Sequence, residues 1–256
     1  MSAITVENLV FSYGKHSVLK GINLNIETGE FISILGSNGV GKSTLFKCML
    51  GLNSSYTGNV YINQKNIRDM TVKEIASNIA YIPQHTVPAF NYSVEDIVLM
   101  GTTAQMHALS TPKDAEIEAC HSALKKVGIE NLRSRCFHLL SGGEKQLAVI
   151  ARALAQNAPI IMLDEPTASL DFANQMLVLK QMRKLADEGY TIIQTTHNPE
   201  HSYMFSDKIA AIKDGEIMIC ASPDEVMHED IISKLYGLEV KISSLYNDKV
   251  RVCTAI

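Results

Sequence analysis

Residues Gly36-Ser37-Asn38-Gly39-Val40-Gly41-Lys42-Ser43-Thr44 match the pattern G-x-x-x-x-G-K-[ST], whose chemistry is the binding of a phosphate chain. Glycines let the backbone curl so that its N–H groups point inward, and the start of a following helix adds positive potential for phosphate oxygens. Lys42 can then bridge the β- and γ-phosphates of a nucleoside triphosphate, and Ser43 can ligate Mg²⁺. A glycine-rich turn that binds nothing is the bland alternative. The context argues against it, because the pattern follows an apolar run, Phe31 to Leu35, and precedes an apolar helix candidate, Leu45 to Leu50.

Two further segments carry groups suited to phosphate chemistry. Ile160-Ile161-Met162-Leu163 leads into Asp164 and Glu165, two carboxylates at the C-terminal end of a strand candidate, where ligands of open α/β sheets bind. Asp164 is placed to hold Mg²⁺ through water, and Glu165 to polarise the water that attacks a γ-phosphate. Taken alone, two acids after a strand are more often a solvated turn; beside a phosphate loop the catalytic reading prevails. Leu140-Ser141-Gly142-Gly143-Glu144 contains a capping box, Ser141-x-x-Glu144, which opens a helix carrying Leu147, Ile150 and Leu154 on one face. Its two glycines let the N–H groups of that helix start approach an anion closely, as a γ-phosphate sensor requires.

His197-Asn198-Pro199-Glu200-His201 also matches H-x-x-E-H, a zinc-hydrolase pattern that needs both histidines on one helical face. Asn198-Pro199 reads instead as a cap followed by a first helical residue, which leaves His197 outside the helix.

The elements that must position these groups can be read from periodicity. Ile4 to Val10 and Ile22 to Ile26 alternate apolar and polar residues, as half-buried antiparallel strands do. Phe31 to Leu35 is nearly continuously apolar and suits a strand covered on both faces. Ala80 to Ile82, Ile160 to Leu163, Thr191 to Ile193 and Lys208 to Ile212 are further buried-strand candidates separated by helical or loop sequence. Together they predict an α/β domain with a largely parallel sheet. Between about Ser93 and Asn157 helix starts dominate: Ser93-x-x-Asp96 is a capping box, and Thr111-Pro112 places a capping hydroxyl before a proline at the first helical position. Phe172, Met176, Leu179, Met182 and Leu185 read as a core stripe of one helix. Ser222-Pro223-Asp224-Glu225 starts a short helix, and Leu238 to Ile256 looks like a hairpin around Asn247-Asp248.

Composition bounds the class. With 46% hydrophobic and 20% charged residues in 256, the chain is that of a globular protein rather than a disordered or low-complexity one. Ile75 to Val94 lacks charge and is long enough to span a bilayer. It contains Asn78, Pro83, Gln84, His85, Pro88 and Asn91, so no transmembrane helix is expected. The N-terminus does not resemble a secretion signal, which predicts a cytosolic protein. Cys48, Cys120, Cys136, Cys220 and Cys253 contain no C-x-x-C pair and fit free buried thiols. A net charge of −4 provides no general attraction to nucleic acid or acidic lipid.

The phosphate loop, Leu140 to Glu144, Leu163-Asp164-Glu165-Pro166-Thr167, Ser169-Leu170-Asp171 and Thr195-Thr196-His197, in that order, resemble the motif set of ATP-binding cassette (ABC) ATPases over residues 1 to about 235. The resemblance implies a P-loop NTPase (RecA-like) α/β core, with an antiparallel β subdomain and an inserted α-helical subdomain. The core would take 1–87 and 158–237, the helical signature subdomain 88–157 and a C-terminal β-hairpin extension 238–256. It implies ATP and Mg²⁺ as bound species. Tyr13 would stack on adenine, Gln84 would couple the Mg²⁺ and water site to a transport partner, Asp171 would belong to the D-loop, and His197 would contact the γ-phosphate. It further implies a head-to-tail dimer, in which Ser141, Gly142 and Gly143 of one subunit complete the ATP site built on Lys42 of the other. A lone copy would then hydrolyse ATP poorly. Two departures are small: Glu144 stands where glutamine is frequent, and Asn198 where aspartate is usual.

Within that family, nucleic-acid and ribosome factors usually carry two cassettes or a long coiled-coil insertion, neither of which is present. Soluble iron–sulfur-assembly members typically lack the Pro-Thr that follows Glu165 here. The expected class is the ATPase subunit of a transporter. His85 to Gly101, Leu170 to Gln175 and Leu235-Tyr236-Gly237-Leu238 resemble ATPases of prokaryotic importers for iron–siderophore, haem and cobalamin, and those for molybdate and tungstate look similar. Thr102 differs from the arginine expected there. The implied partners are a separate membrane permease, to whose inner face the chain would dock, and indirectly a substrate-binding protein.

Overall fold

The computed structural model describes residues 1–84, 90–104 and 111–256. They form two compact units, Met1–Met70 with Arg183–Ile256, and Thr71–Met182.

The first unit opens with β1 (Ser2–Tyr13) and β2 (His16–Glu27), paired antiparallel in the register Ile4↔Ile26, Val6↔Leu24 and Leu9↔Ile22. These six side chains are buried, and the intervening residues are mostly exposed, so the alternation seen in sequence is that of a sheet with one covered face. Both strands outrun their sequence limits because the tight turn at Gly14 (φ 58) keeps them paired to Tyr13↔His16. Next come β3 (Phe31–Leu35), with all five residues buried, and α1 (Lys42–Met49). Strands β4 (Thr57–Ile62) and β5 (Lys65–Asn66) complete an antiparallel sheet in the order β2-β1-β4-β5.

The second unit begins with α2 (Val72–Asn78), whose Thr71 and Glu74 form a capping box, and β6 (Ile79–Ile82). Helix α3 (Val94–Leu99) starts on the Ser93–Asp96 capping box expected from sequence. Helix α4 (Asp114–Lys126) starts later than Thr111-Pro112 implied: the Glu116 carboxylate accepts the Lys113 N–H at 2.9 Å, so the cap falls on Lys113. Helix α5 (Gly142–Ala155) packs with α3 and α4 around Ile97, Val98, Cys120, Leu124, Leu147 and Ile150, all buried. Strand β7 (Ile160–Asp164) is fully buried and lies parallel to β6, Ile82 opposite Leu163. Helix α6 (Phe172–Asp187) begins in this unit. Its core stripe starts at Met176, not Phe172: Leu179, Met182 and Leu185 are buried, but Phe172 is 74% exposed, being the first residue of the helix, beyond the covered face.

The chain then returns to the first unit with β8 (Thr191–Thr196), α7 (Pro199–Phe205), β9 (Lys208–Lys213) and β10 (Glu216–Ala221). Strand β3 pairs in parallel with both β8 and β9, and β10 adds antiparallel to β9. Helix α8 (Pro223–Val226) follows a Ser222–Glu225 capping box, and α9 (Glu229–Tyr236) ends at Gly237 (φ 71). Strands β11 (Val240–Leu245) and β12 (Val250–Ala255) form the terminal hairpin, whose turn holds Tyr246, Asn247 and Asp248 at positive φ. Val226, Met227, Ile232, Leu235 and Val240 bury against Leu35, Ile209 and Ala211, which ties this C-terminal segment to the sheet. The five cysteines are free; Cys48 and Cys120 are buried, whereas Cys136, Cys220 and Cys253 are half-buried, so the expectation of buried thiols holds for two of them. Among the described residues no helix is long and apolar enough to cross a membrane.

Candidate functional site

In the first unit the phosphate loop leaves the buried strand β3 at Gly36, whose N–H donates to the Thr196 carbonyl at 3.2 Å. Because Leu35 lies opposite Thr196 in a parallel pair, the loop and His197 emerge side by side at the carboxyl ends of β3 and β8. A Cβ on Gly36 would lie 2.5 Å from the Ile212 carbonyl oxygen, so this position needs glycine for close backbone approach. Gly39 (φ 82) and Gly41 (φ 108) supply the curl. Lys42 is buried, and its Nζ donates to the carbonyls of Gly36 at 2.7 Å and Ser37 at 3.0 Å, which holds the ammonium inside its own loop. Asn38 and Gly39 are exposed; Ser37, Val40, Ser43 and Thr44 are half-buried. Tyr13, half exposed at the end of β1, packs edge-on against Phe11 at 4.8 Å, and its hydroxyl accepts from Asn53 Nδ2 at 3.2 Å. A cleft of about 480 Å³ opens beside the loop, lined among others by His16, Val18, Lys20, Asn38, Val40 and Asp214.

The second unit gathers the other candidates. Asp164 is the last residue of β7 and is buried; Glu165 follows it in the left-handed region (φ 47), uncommon for a non-glycine residue. Gln84, just beyond the parallel neighbour β6, donates from Nε2 to Glu165 Oε2 at 3.3 Å. Burial, reinforced by the Asp164 charge, pushes the Tyr81 phenol up to about 12, so it stays neutral beside that carboxylate. Ser141 caps α5: its backbone N–H donates to Glu144 at 2.8 Å and its hydroxyl accepts the Glu144 N–H at 3.3 Å. The Ser141 bonds, with Arg135 assisting, hold the Glu144 carboxyl below its ordinary range. Asp171 caps α6, accepting the Asn174 N–H at 2.9 Å and its Nδ2 at 2.8 Å, and these bonds lower the Asp171 carboxyl in turn.

Asn174 was not among the sequence candidates. A Cβ on Gly143 would collide with its side chain, and one on Gly142 would reach Leu170 Cδ2 at 3.1 Å, so the two glycines are needed for contact with the Asp171 turn. The spacing Asp171-x-x-Asn174 was the signal available for it.

The H-x-x-E-H alternative fails in the structure. Helix α7 starts at Pro199, and Asn198 is its cap, accepting the His201 N–H at 2.9 Å; His197 lies outside the helix and is exposed, while His201 is buried. Among the described residues no cluster of histidine, cysteine and carboxylate side chains could hold a metal ion. Of the segment resembling importers, residues 85–89 lie outside the described residues; Thr102 is buried, its hydroxyl donating to the Leu99 carbonyl at 2.8 Å.

Comparison with known proteins assigns this arrangement. The family model described as ABC transporter matches residues 19–168, more than half of the chain. The chain is 32% identical over 243 residues to the iron(3+)-hydroxamate import ATP-binding protein FhuC of Bacillus subtilis, covering 94% of this chain and 90% of that one. It is 30% identical over 237 residues to the ferric enterobactin transport ATP-binding protein FepC of Escherichia coli, covering 92% and 88%. Among solved structures, an inward-facing conformation of a metal-chelate type ABC transporter superposes with a TM-score of 0.89 at 29% identity, over 100% of this chain and 97% of that one. By the match over most of its length and its likeness to these import ATP-binding proteins, the chain belongs to the ABC transporter family, as an ATP-binding ATPase.

Proposed function

We propose that the chain is the ATP-hydrolysing subunit of a prokaryotic importer that takes up a metal chelate, of the iron–siderophore, haem or cobalamin kind, through a separate membrane permease. The observation that carries this reading is likeness to a metal-chelate type transporter along the whole chain, C-terminal hairpin included, and to two iron-chelate import proteins along more than nine-tenths of it.

Each residue then has a task. Tyr13 stacks on adenine, and the backbone N–H groups of Gly36 to Thr44 cradle the phosphates, with Lys42 turning its ammonium from its own carbonyls to the β- and γ-phosphates. The residues read as holding Mg²⁺ would each offer it a hard oxygen donor: the Ser43 hydroxyl, the Gln84 amide oxygen and the buried Asp164 carboxylate. Mg²⁺ would neutralise charge on the phosphate oxygens. Glu165 orients the attacking water and accepts its proton, Gln84 links that carboxylate to the permease, and His197 contacts the γ-phosphate. Ser141, Gly142, Gly143 and Asp171 complete the ATP site of a second copy, bound head to tail. ATP thereby favours the closed pair by contacts the open pair lacks, as any ligand-driven switch requires. Docked on its permease, the chain lies peripherally on the cytoplasmic face of the membrane, and a substrate-binding protein delivers cargo from the other side. Nucleic acid has no part.

Reconstitution with a permease and binding protein of the metal-chelate import type, in vesicles loaded with ATP, tests the proposal. Uptake of a ferric hydroxamate, haem or cobalamin is expected to depend on ATP. Uptake of molybdate or tungstate instead would replace the cargo, and neighbouring iron–sulfur-assembly genes with no permease would overturn the transport role.

A further inference from the structure

Leu235-Tyr236-Gly237-Leu238, which the phosphate chemistry leaves unused, brings the end of α9 against the His197 turn. The Tyr236 hydroxyl donates to the His197 carbonyl oxygen at 2.7 Å. The N–H of the same peptide, that of Asn198, donates to Thr196 Oγ1 at 3.1 Å. One peptide plane is therefore held at its oxygen by Tyr236 and at its nitrogen by Thr196, and that plane sets the direction in which the His197 side chain leaves β8. Burial pushes the Tyr236 phenol far above its ordinary range, so it remains a donor throughout the working pH range.

The C-terminal hairpin holds the next helix turn as well. Glu200 Oε1 accepts the Cys253 N–H at 3.1 Å, and the Tyr203 hydroxyl donates to the Asp248 carbonyl at 2.7 Å, under the Arg251 guanidinium 5.0 Å from its ring. Three consecutive polar anchors, at residues 197, 200 and 203, thus bind the start of α7 to the segment from Tyr236 onward.

We propose that Tyr236 is a positioning residue for ATP hydrolysis: its hydroxyl orients the His197 turn, so the C-terminal segment tunes turnover from outside the phosphate loop. The proposal rests on reading His197 as the γ-phosphate contact.

The test compares the full-length wild-type chain, Tyr236→Phe, His197→Ala and the double variant by steady-state ATP hydrolysis, ATP affinity and thermal unfolding. Phenylalanine keeps the packed ring and removes one hydrogen bond, so kcat should fall about fivefold. KM and ATP affinity should stay within about twofold, and the double variant should be no slower than His197→Ala, because two changes acting through one group do not add. The His197 ring resonances in the NMR spectrum should shift in Tyr236→Phe. A wild-type kcat with unmoved resonances, or a double variant slower by the product of the single effects, overturns the positioning role while leaving the His197 assignment standing. A wild-type rate in His197→Ala overturns that assignment and the proposal with it.

Discussion

Alanine at Gly36 separates a tertiary requirement from the phosphate chemistry that its motif suggests. The new Cβ would sit 2.5 Å from the Ile212 carbonyl oxygen, 3.0 Å from Ile212 Cγ2 and 3.1 Å from Val40 Cγ2. Ordinary contact begins at 3.4 Å, so one backbone must yield by about 0.9 Å. Neither yields easily: Ile212 is paired to Ile217 of β10, its neighbour Ala211 lies opposite Leu35 of β3, and the Gly36 N–H is bonded to Thr196. Overpacking of this kind costs about 1–3 kcal/mol, and a strand carbonyl as the obstacle puts the expected value at about 2–3 kcal/mol. If β9 gives way the loss appears as stability, at about 2–4 °C per kcal/mol for a chain of this size. If the loop gives way it appears as ATP affinity, about 30- to 150-fold. Urea unfolding of the ATP-free chain and titration with a fluorescent ATP analogue together measure the two shares. Val40→Ala added to Gly36→Ala should not rescue either, because the nearest obstacle is backbone. Unfolding midpoints and affinity both equal to wild type would refute the close-approach argument, and rescue by Val40→Ala would move the obstacle to that side chain.

Glu165→Gln should retain ATP affinity within about threefold, lose hydrolysis by at least a hundredfold and accumulate an ATP-bound dimer on size-exclusion chromatography. Wild-type hydrolysis would remove Glu165 from the chemistry. His201 yields a pH dependence: burial, with Glu200 opposing and nearby His197 assisting, holds its imidazole below the ordinary histidine value, and among the described residues its Nδ1 has no hydrogen-bond partner. The unfolded chain therefore binds this proton more readily, so the stabilisation is complete above about pH 6.5 and declines as the pH falls through the depressed value. His201→Gln should flatten the decline in urea midpoint between pH 7.5 and 5; an equal decline in both proteins would assign it to other groups.

Much of the fold and of the site was legible in sequence because local chemistry dictates it. The curl of Gly36 to Lys42 follows from glycine at φ 82 and 108 on one helix start, the Ser93 and Ser141 capping boxes from their three-residue spacing, and the buried strands from apolar runs of five or so residues. The same locality explains the errors. Thr111-Pro112 reads as a helix start, yet the Glu116 carboxylate accepting the Lys113 N–H moves the cap to Lys113; Phe172 fits the helical period, yet burial depends on what faces it, and it stands exposed.

Residue types and spacing by themselves pointed to an ATP-binding ATPase and named the carboxylates and glycines proposed to serve it. What only the tertiary structure decided were meetings between distant residues: Ile212 against Gly36, Asn174 against Gly143, and Tyr236 on the carbonyl of His197. Spacing along a chain records periodicity and caps, which act over three or four residues. It carries no record of which strands align or which helix end returns to a turn, because those contacts arise only when the separate apolar faces bury together.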